Sequence, residues 1–531
     1  MGYSVLVLIL FSAVACLLAS QQLLHFFQLE SYQFPGYFRS LKRNWKHALL
    51  PGAALAVTMT AGMLVFHLAG RHPLGRTSCG VLSLCLLLVA FLLFRFSARQ
   101  KAKKPLVYTP RMKRLQVVCF LFFTVLMLVL VGGSENSLSP LPVFFLLLPL
   151  NIALAGLLAW PLEKAISELY FRDAQRILRE HPDLIRIGIT GSWGKTSVKF
   201  ILGSLLSEKY STLITPASYN TPMGVTRVIR SQLLPGHRVF VAEMGARHVG
   251  DIREMCRLVH PSIGILTSVG EQHLDTFHTL DNIKKTKYEL IDAVPAEGHC
   301  FFADDNGIVL GLYHQTSKPR SLAGLDPEQD DVWAEDIRVS PEGSTFFLCT
   351  REQKVPCKTQ LLGELNIRNI VLCAAVCLKL DMTLSEIASG ISRLRPVEHR
   401  LQLLNPSGGV NVIDDAFNSN IRGATQAFNV LKDFPGKRIV VTPGMVELGS
   451  REEEMNREFG RAMAPCCDLA VLVGKKRAAA IADGLKQAGF APNRIVTVSS
   501  LVEATEYLTT AVQKGDTILF ENDLPDNYQE S

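Results

Sequence analysis

The chain lacks any C-x-x-C pair: its 12 cysteines are scattered, with Cys373 and Cys377 in an apolar stretch and Cys466 and Cys467 adjacent. That excludes the spacing of a zinc site or of a disulfide framework and predicts buried, reduced thiols. No G-x-G-x-x-G stretch occurs, so no nicotinamide cofactor is implied. Aromatic and basic residues are not interleaved as in a nucleic-acid groove, and the net charge of +7 is better matched to a membrane surface. The long apolar runs have no Asp, Glu or Lys at their centres, which argues against an ion or solute path through them.

What the chain does have is two unlike halves. Up to about Pro161 its 531 residues are dominated by apolar runs, and beyond that they read as a soluble α/β protein. Five runs have the roughly 20-residue length of a helical span: Tyr3–Ser20, Leu49–Gly70, Cys79–Phe96, Leu115–Gly133 and Leu141–Trp160. The first has no basic start and no clear cleavage site, so it reads as a retained span rather than a signal peptide. Basic residues gather in the first loop (Arg39, Lys42, Arg43, Lys46) and the third (Arg99, Lys101, Lys103, Lys104, Arg111, Lys113, Arg114). The second has Arg71 and Arg76, and the fourth has neither Lys nor Arg. Basic loops stay cytoplasmic. The expectation is a multi-pass cell-membrane protein with its N-terminus outside, five spans and the soluble part in the cytoplasm. The block would anchor the protein, bind a lipid-linked acceptor or meet a membrane protein partner.

Leu184–Thr190 reads as a buried strand, Gly191-Ser192-Trp193-Gly194-Lys195-Thr196 as a turn, and Ser197–Tyr210 as a helix with Val198, Ile201, Leu202 and Leu205 on one side. Strand, glycine turn, Gly-Lys-Thr and helix form the context of a phosphate loop. Glycines let backbone N–H groups approach phosphates, and the helix N-terminus adds partial positive charge. Thr190 to Ser197 are therefore expected to bind ATP. Lys195 would neutralise the β- and γ-phosphates, and Thr196 would ligate Mg²⁺.

Gly191 and Gly194 are separated by two residues, and this T-G-x-x-G-K-T-S form resembles the Mur ligases, the ATP-dependent ligases of peptidoglycan peptide assembly. The resemblance extends over roughly 185–519. It is nearest to the branch that adds D-alanyl-D-alanine to a UDP-muramoyl tripeptide. It implies a central phosphate-loop ATPase domain (164–397) and a C-terminal Rossmann-like α/β domain (398–531) behind the helical transmembrane domain (1–163). Val239–His248 holds a strand ending in Glu243, and Gly270–Asp275 holds His273. Asn282–Leu290 looks like the family helix with a carbamylated lysine, here Lys287. The resemblance makes Thr196, Glu243, His273 and Lys287 the ligands of two Mg²⁺ ions. Gly363–Asn369 resembles G-x-H-N-x-x-N and offers Asn366 and Asn369, three apart, to adenine, with Leu365 at the usual His.

Pro396–Arg400 resembles the family's domain boundary and brings Arg400 toward the ATP phosphates. Alternating strands and helices follow, with strands expected at Val410–Asp414, Arg438–Pro443, Asp468–Gly474, Arg494–Val498 and Asp516–Glu521. Asp414–Asn420 resembles D-D-x-Y-N-x-N-P, with Asp415 the implied ribose or nucleotide contact and Ile421 at the usual Pro. Gly444–Gly449 matches G-x-M-x-E-L-G. Two stretches depart from the branch. Membrane runs stand where its UDP-binding domain would be, and Phe520–Asn527 is acidic where a basic Lys-Gly-Ser-Arg type loop is usual. The expected activity is an ADP-forming ligation of a carboxylate to an amino acid or peptide amine through an acyl phosphate, with Lys195, Glu243, His273, Lys287 and Arg400 carrying it. A non-catalytic ATP-binding scaffold at the membrane and a polyglutamate-synthetase-like peptide ligase are the competing readings.

Overall fold

The computed structural model describes residues 2–71, 73–99, 105–134, 137–217, 219–305, 307–404, 409–416, 421–446, 448 and 451–523. The chain divides into two compact units, 1–168 and 169–531.

The first unit is helical: α1 (Tyr3–Ala19), α2 (Gln21–Leu29), α3 (Phe34–Arg43), α4 (Trp45–Leu68), α5 (Arg76–Arg99), α6 (Pro110–Gly133), α7 (Leu141–Leu146) and the start of α8 (Leu148–Arg179). Among the described residues three helices, in α4, α5 and α6, are long and apolar enough to cross a membrane, with mean hydropathy 1.9, 2.5 and 2.7. Leu55, Met59, Leu82, Leu86, Cys119 and Phe123 point inward, whereas Val57, Leu68, Leu84, Leu88, Val117 and Val125 face outward, an apolar perimeter that water would penalise.

The other two expected spans are not single straight helices. The helix α1 has 17 residues and is bent by 50° from α2; the pair counts as one broken span at most. The run Leu141–Trp160 is divided at Leu147 between α7 and α8. Pro149 explains the break: it has no N–H for the Phe145 carbonyl four residues back. That carbonyl packs on α4 at Gly52, where a Cβ would stand 2.2 Å from it. The Asn151 amide takes the Phe144 carbonyl at 2.9 Å. Backbone groups freed by the break are thus met from inside the bundle, as apolar surroundings require.

The second unit is α/β. Its larger sheet has β1 (Ile185–Thr190), β2 (Thr212–Ile214), β3 (Val239–Glu243), β4 (Ile263–Leu266), β5 (His299–Ala303), β6 (Arg320–Gly324), β7 (Val332–Ser340), β8 (Gly343–Thr350) and β9 (Lys354–Thr359), in the order β2-β3-β1-β4-β5-β6-β7-β8-β9. Pairing is parallel from β2 through β7 and antiparallel among β7, β8 and β9. Strands β3 and β4 are wholly buried and β1 is buried from Ile187 onward; apart from Arg186, Thr190 and Glu243 they are apolar, as parallel strands covered on both faces are. The helix Glu364–Lys379 supplies Ile367, Ile370, Val371 and Val376 to the core over this sheet.

The smaller sheet has β10 (Gln402–Leu404), β11 (Asn411–Asp415), β12 (Arg438–Thr442), β13 (Leu469–Val473), β14 (Ile495–Val498) and β15 (Thr517–Glu521), ordered β10-β11-β15-β12-β13-β14. All pairs are parallel except β10 with β11. The five strands expected after residue 400 correspond to β11 to β15 within a residue or two.

Candidate active site

Strand β1 lies between β3 and β4, so the chain leaves it toward opposite sides of the sheet. In such sheets the carboxyl ends of the strands on either side of the reversal open onto one crevice. The turn after β1, Glu243 at the end of β3 and Thr267-Ser268 after β4 meet there.

The turn needs its glycines. Gly194 has φ +82°, and a Cβ on Gly191 would stand 2.1 Å from Thr267 Oγ1. Hydroxyls fasten the loop. Thr190 Oγ1 donates to the Met244 carbonyl (3.0 Å), and Ser192 Oγ donates to the Gly270 carbonyl (2.9 Å) while accepting from the Gly270 N–H (3.0 Å). The Trp193 N–H donates to Ser268 Oγ at 2.8 Å. The helix Lys195–Leu206 then begins, directing its first N–H groups at the loop, and buried Ser197 lies in its first turn. Lys195 folds back over the loop, donating to the carbonyls of Gly191 (2.6 Å) and Ser192 (3.0 Å). Burial lowers its pKa to about 8, with Glu243 opposing and Arg400 adding to the shift.

Glu243 is 1% exposed yet fully bonded. Its Oε1 accepts from Thr196 Oγ1 (3.1 Å) and Asn220 Nδ2 (3.2 Å), and its Oε2 accepts from Lys199 Nζ (3.0 Å). Burial pushes the carboxyl up, but Lys199 and Lys195 outweigh it and hold Glu243 below the usual carboxylate range. Lys287, on the helix Leu280–Ala293, is 3% exposed. Burial, then Lys195, hold its ammonium well below the ordinary lysine range, and Asp251 opposes them. His273 opens the short helix Leu274–Phe277 at φ +53°, in the left-handed region, on the loop that grips Ser192 and Trp193.

Arg400 interacts with Asp415, Glu243 and Glu521, while burial lowers its pKa. It therefore ties the smaller sheet to the phosphate edge. Asp415 pairs in register with Glu521 across β11 and β15, and its Oδ1 accepts from the Leu401 N–H at 3.1 Å. Burial raises its pKa to about 6, with Arg400 opposing. A cavity of about 280 Å³ opens beside Gly194, lined by Trp193, Leu365, Arg368 and Asn369 on one side and Thr425 and Gln426 on the other. Asn369 lines it; Asn366 does not, because its Nδ2 turns to the Leu362 carbonyl at 2.9 Å. Asp415 is likewise engaged with Arg400 and Leu401 rather than in the cavity wall. Residues 417–420, 447, 449 and 524–527 of the expected motifs lie outside the described residues.

These residues fit a magnesium nucleotide. Glycine loop, helix N-terminus and Lys195 form a phosphate cradle, and an ionised carboxylate stands beside the Thr196 hydroxyl. Among the described residues no cluster of three or more His, Cys, Asp and Glu stands ready for a metal. Magnesium bound with nucleotide phosphates needs no such cluster, since one or two protein ligands, water and phosphate complete its shell.

Residues 189–377 match the Mur ligase middle domain, and residues 399–521 match the Mur ligase glutamate ligase domain. The chain belongs to the Mur ligase family. The UDP-N-acetylmuramoyl-tripeptide–D-alanyl-D-alanine ligase of Escherichia coli (strain K12) is 29% identical to it over 372 residues, 68% of this chain and 82% of that one. A MurF crystal structure from Acinetobacter baumannii superposes with a TM-score of 0.62 at 25% identity, covering 67% of this chain and 77% of that chain. The MurF ligase of Thermotoga maritima in complex with ADP gives 0.61 at 25% identity, covering 67% and 80%. This Mur ligase is accordingly an ATP-dependent, ADP-forming amide ligase that uses Mg²⁺.

Four residues that the fold brings to this candidate site were not singled out from sequence: Lys199, Asn220, Thr267 and Ser268. Lys199 carries a signal, being a lysine one helical turn after Lys195 among Val198, Ile201 and Leu202. Thr267 and Ser268 carry a weaker one, as small hydroxyl residues directly after a buried strand. Asn220 sits in a loop whose contact with Glu243 spans 23 positions, and nothing local announces it.

Proposed function

We propose that this Mur ligase works at the cytoplasmic face of the membrane, joining a carboxylate acceptor of cell-wall precursor synthesis to an amino acid or peptide amine. The observation that carries the proposal is the ionised Glu243 carboxylate 3.1 Å from the Thr196 hydroxyl at the head of the phosphate loop. The likeness to enzymes named for UDP-N-acetylmuramoyl-tripeptide and D-alanyl-D-alanine supports those two substrates.

An acceptor carboxylate oxygen attacks the γ-phosphorus of ATP, the bond to the β-phosphate oxygen breaks, and ADP leaves. The amine nitrogen attacks the resulting acyl phosphate, inorganic phosphate departs, and the nitrogen loses a proton. Lys195 and Arg400 neutralise the transferring phosphoryl group and position it. With the Ser192 and Trp193 amides pinned to Ser268, the amides of Gly194 through Ser197 would hold the phosphates, Asn369 and the Trp193 wall would receive the base with Asn366 shaping the helix start, and Asp415 would orient Arg400. Thr196 and Glu243 would hold one Mg²⁺; His273 and Lys287 would hold a second. Magnesium supplies charge neutralisation across the phosphates. Lys287 suits carbamylation, because burial disfavours its ammonium, and the amine freed of its proton can add CO₂, releasing a further proton and becoming an anionic oxygen ligand.

The division we propose is a transmembrane domain to residue 163, an ATP-binding domain to 397 and a C-terminal domain beyond. Basic loop residues support a topology in which the starts of α4 and α6 lie in the cytoplasm and α6 ends outside. For the ligase unit to meet cytoplasmic ATP, the α7–α8 stretch must return through the membrane despite its break. Cysteine placed at Ser137 should react with an impermeant thiol reagent from outside intact cells, and protection there would refute this topology. Full-length protein in detergent, given ATP, Mg²⁺, the muramoyl tripeptide and D-alanyl-D-alanine, should release ADP and amide in equal amounts. Neither product forming with these or with lipid-linked acceptors would sink the ligase reading in favour of a scaffold.

A further inference from the structure

The helix Lys195–Leu206 carries two lysines one turn apart with different tasks. Lys195 covers the phosphate loop, whereas Lys199 reaches the end of β3. Lys199 is 0% exposed, and its Nζ donates to Glu243 Oε2 at 3.0 Å and to the Ala217 carbonyl. Ala217, at φ +43°, belongs to the loop that also sends Asn220 Nδ2 to Glu243 Oε1. The Gly245 N–H closes this loop onto β3 by donating to the Asn220 carbonyl at 2.8 Å. The two carboxylate oxygens are thereby divided: Oε2 is held by Lys199, and Oε1 stands toward Thr196 Oγ1.

We infer that Lys199 is a positioning residue that makes the metal site wait for nucleotide. It fixes Glu243 to present one oxygen, and its ammonium cancels the carboxylate charge, so the empty edge attracts a free divalent cation weakly. ATP brings its own phosphate charge, which then outweighs the nearby ammonium and draws the cation in with the nucleotide. Buried charges are screened little, so an ammonium 3.0 Å from the ligand carboxylate weighs heavily on any cation placed there. The inference rests on the reading of Thr196 and Glu243 as magnesium ligands.

The test uses Mn²⁺ as the probe, followed by electron paramagnetic resonance of the free ion, on full-length protein in detergent. Without nucleotide the unaltered edge should bind Mn²⁺ too weakly for Glu243→Gln to lower the measured binding further, and Lys199→Gln should tighten it about tenfold. The tightening should vanish in the Lys199→Gln/Glu243→Gln pair and in Lys199→Arg. A lysine that merely held the loop in place would give the opposite sign, since its loss would loosen the metal. Unchanged or weaker binding in folded Lys199→Gln protein would overturn the inference. So would a tenfold loss in nucleotide-free Glu243→Gln, a comparison that decides the matter alone if Lys199→Gln does not fold. With ADP present, Glu243→Gln should weaken Mn²⁺ binding; no change there would refute the ligand reading itself rather than the gate.

Discussion

Two buried carboxyl groups of the larger sheet have opposite fates. Glu243 ends β3 with four hydrogen-bonding contacts' worth of company: the hydroxyl of Thr196, the amide of Asn220, the ammonium of Lys199 and its own N–H bonded to Thr215 Oγ1 at 3.2 Å. It stays ionised. Asp330, just before β7, is equally buried but has one bonded oxygen, Oδ2, which accepts from the Asp326 N–H at 2.8 Å. Its Oδ1 has no partner among the described residues, and burial, with Asp304 and Asp326 adding, pushes its pKa up to about 7. The difference teaches where this molecule spends its buried cations. A charge is kept under the phosphate edge by partners from two chain segments, the helix Lys195–Leu206 and the loop after β2, while a carboxyl away from that edge is left to neutralise itself.

The comparison breaks most easily at the phosphate edge. Lys195→Ala should lower kcat/KM by about three orders of magnitude while the melting temperature stays within a few degrees. Steady-state ADP release and a thermal melt on the same preparation check both halves. Glu243→Gln should cost about a hundredfold in kcat. It should also lower stability by about 3 kcal/mol, because Lys199 loses its buried counter-charge. Urea unfolding would show that second loss.

Asp330→Asn should do the reverse, leaving turnover unchanged and raising stability. The folded chain holds this proton more tightly than the unfolded one, so its contribution falls as pH rises from about 4 to about 7 and is flat above. The gain on substitution should therefore be on the order of 2 kcal/mol at pH 8 and near nil at pH 4. Melts at the two pH values test the sign. Smallest of all, Arg451→Gln should change stability by about 0.5 kcal/mol or less. Its ion pair with Glu271 joins the loop after β4 to the start of the helix Glu452–Met463, but both side chains are more than a third exposed. A larger effect would mean that surface pairs matter here as much as buried ones.

Local signals made the centre of the site legible in sequence. Apolar runs with one glycine turn marked β1, β3 and β4, and Gly-Lys-Thr marked the helix that follows. The hairpin strands β7 to β9 went unread because they alternate polar and apolar residues and extend a parallel sheet in antiparallel sense, which no single segment reveals. The span count was read from apolar length with loop charge in agreement, and neither registers Pro149 or the bend after α1. Asn366 looked like a twin of Asn369 on one helix face, but as the third residue of its helix it is drawn to the carbonyl of Leu362. Lys199 was marked only by its spacing from Lys195; a lysine on an amphipathic helix usually reaches solvent, and only the fold places Glu243 in its path.

The central claim is that this phosphate edge activates a carboxylate as an acyl phosphate. Acceptor labelled with ¹⁸O in both carboxylate oxygens, turned over with ATP, Mg²⁺ and amine, tests it most directly. The account predicts one ¹⁸O atom in each molecule of inorganic phosphate released, in step with amide formed. Amide formation with unlabelled phosphate would contradict it.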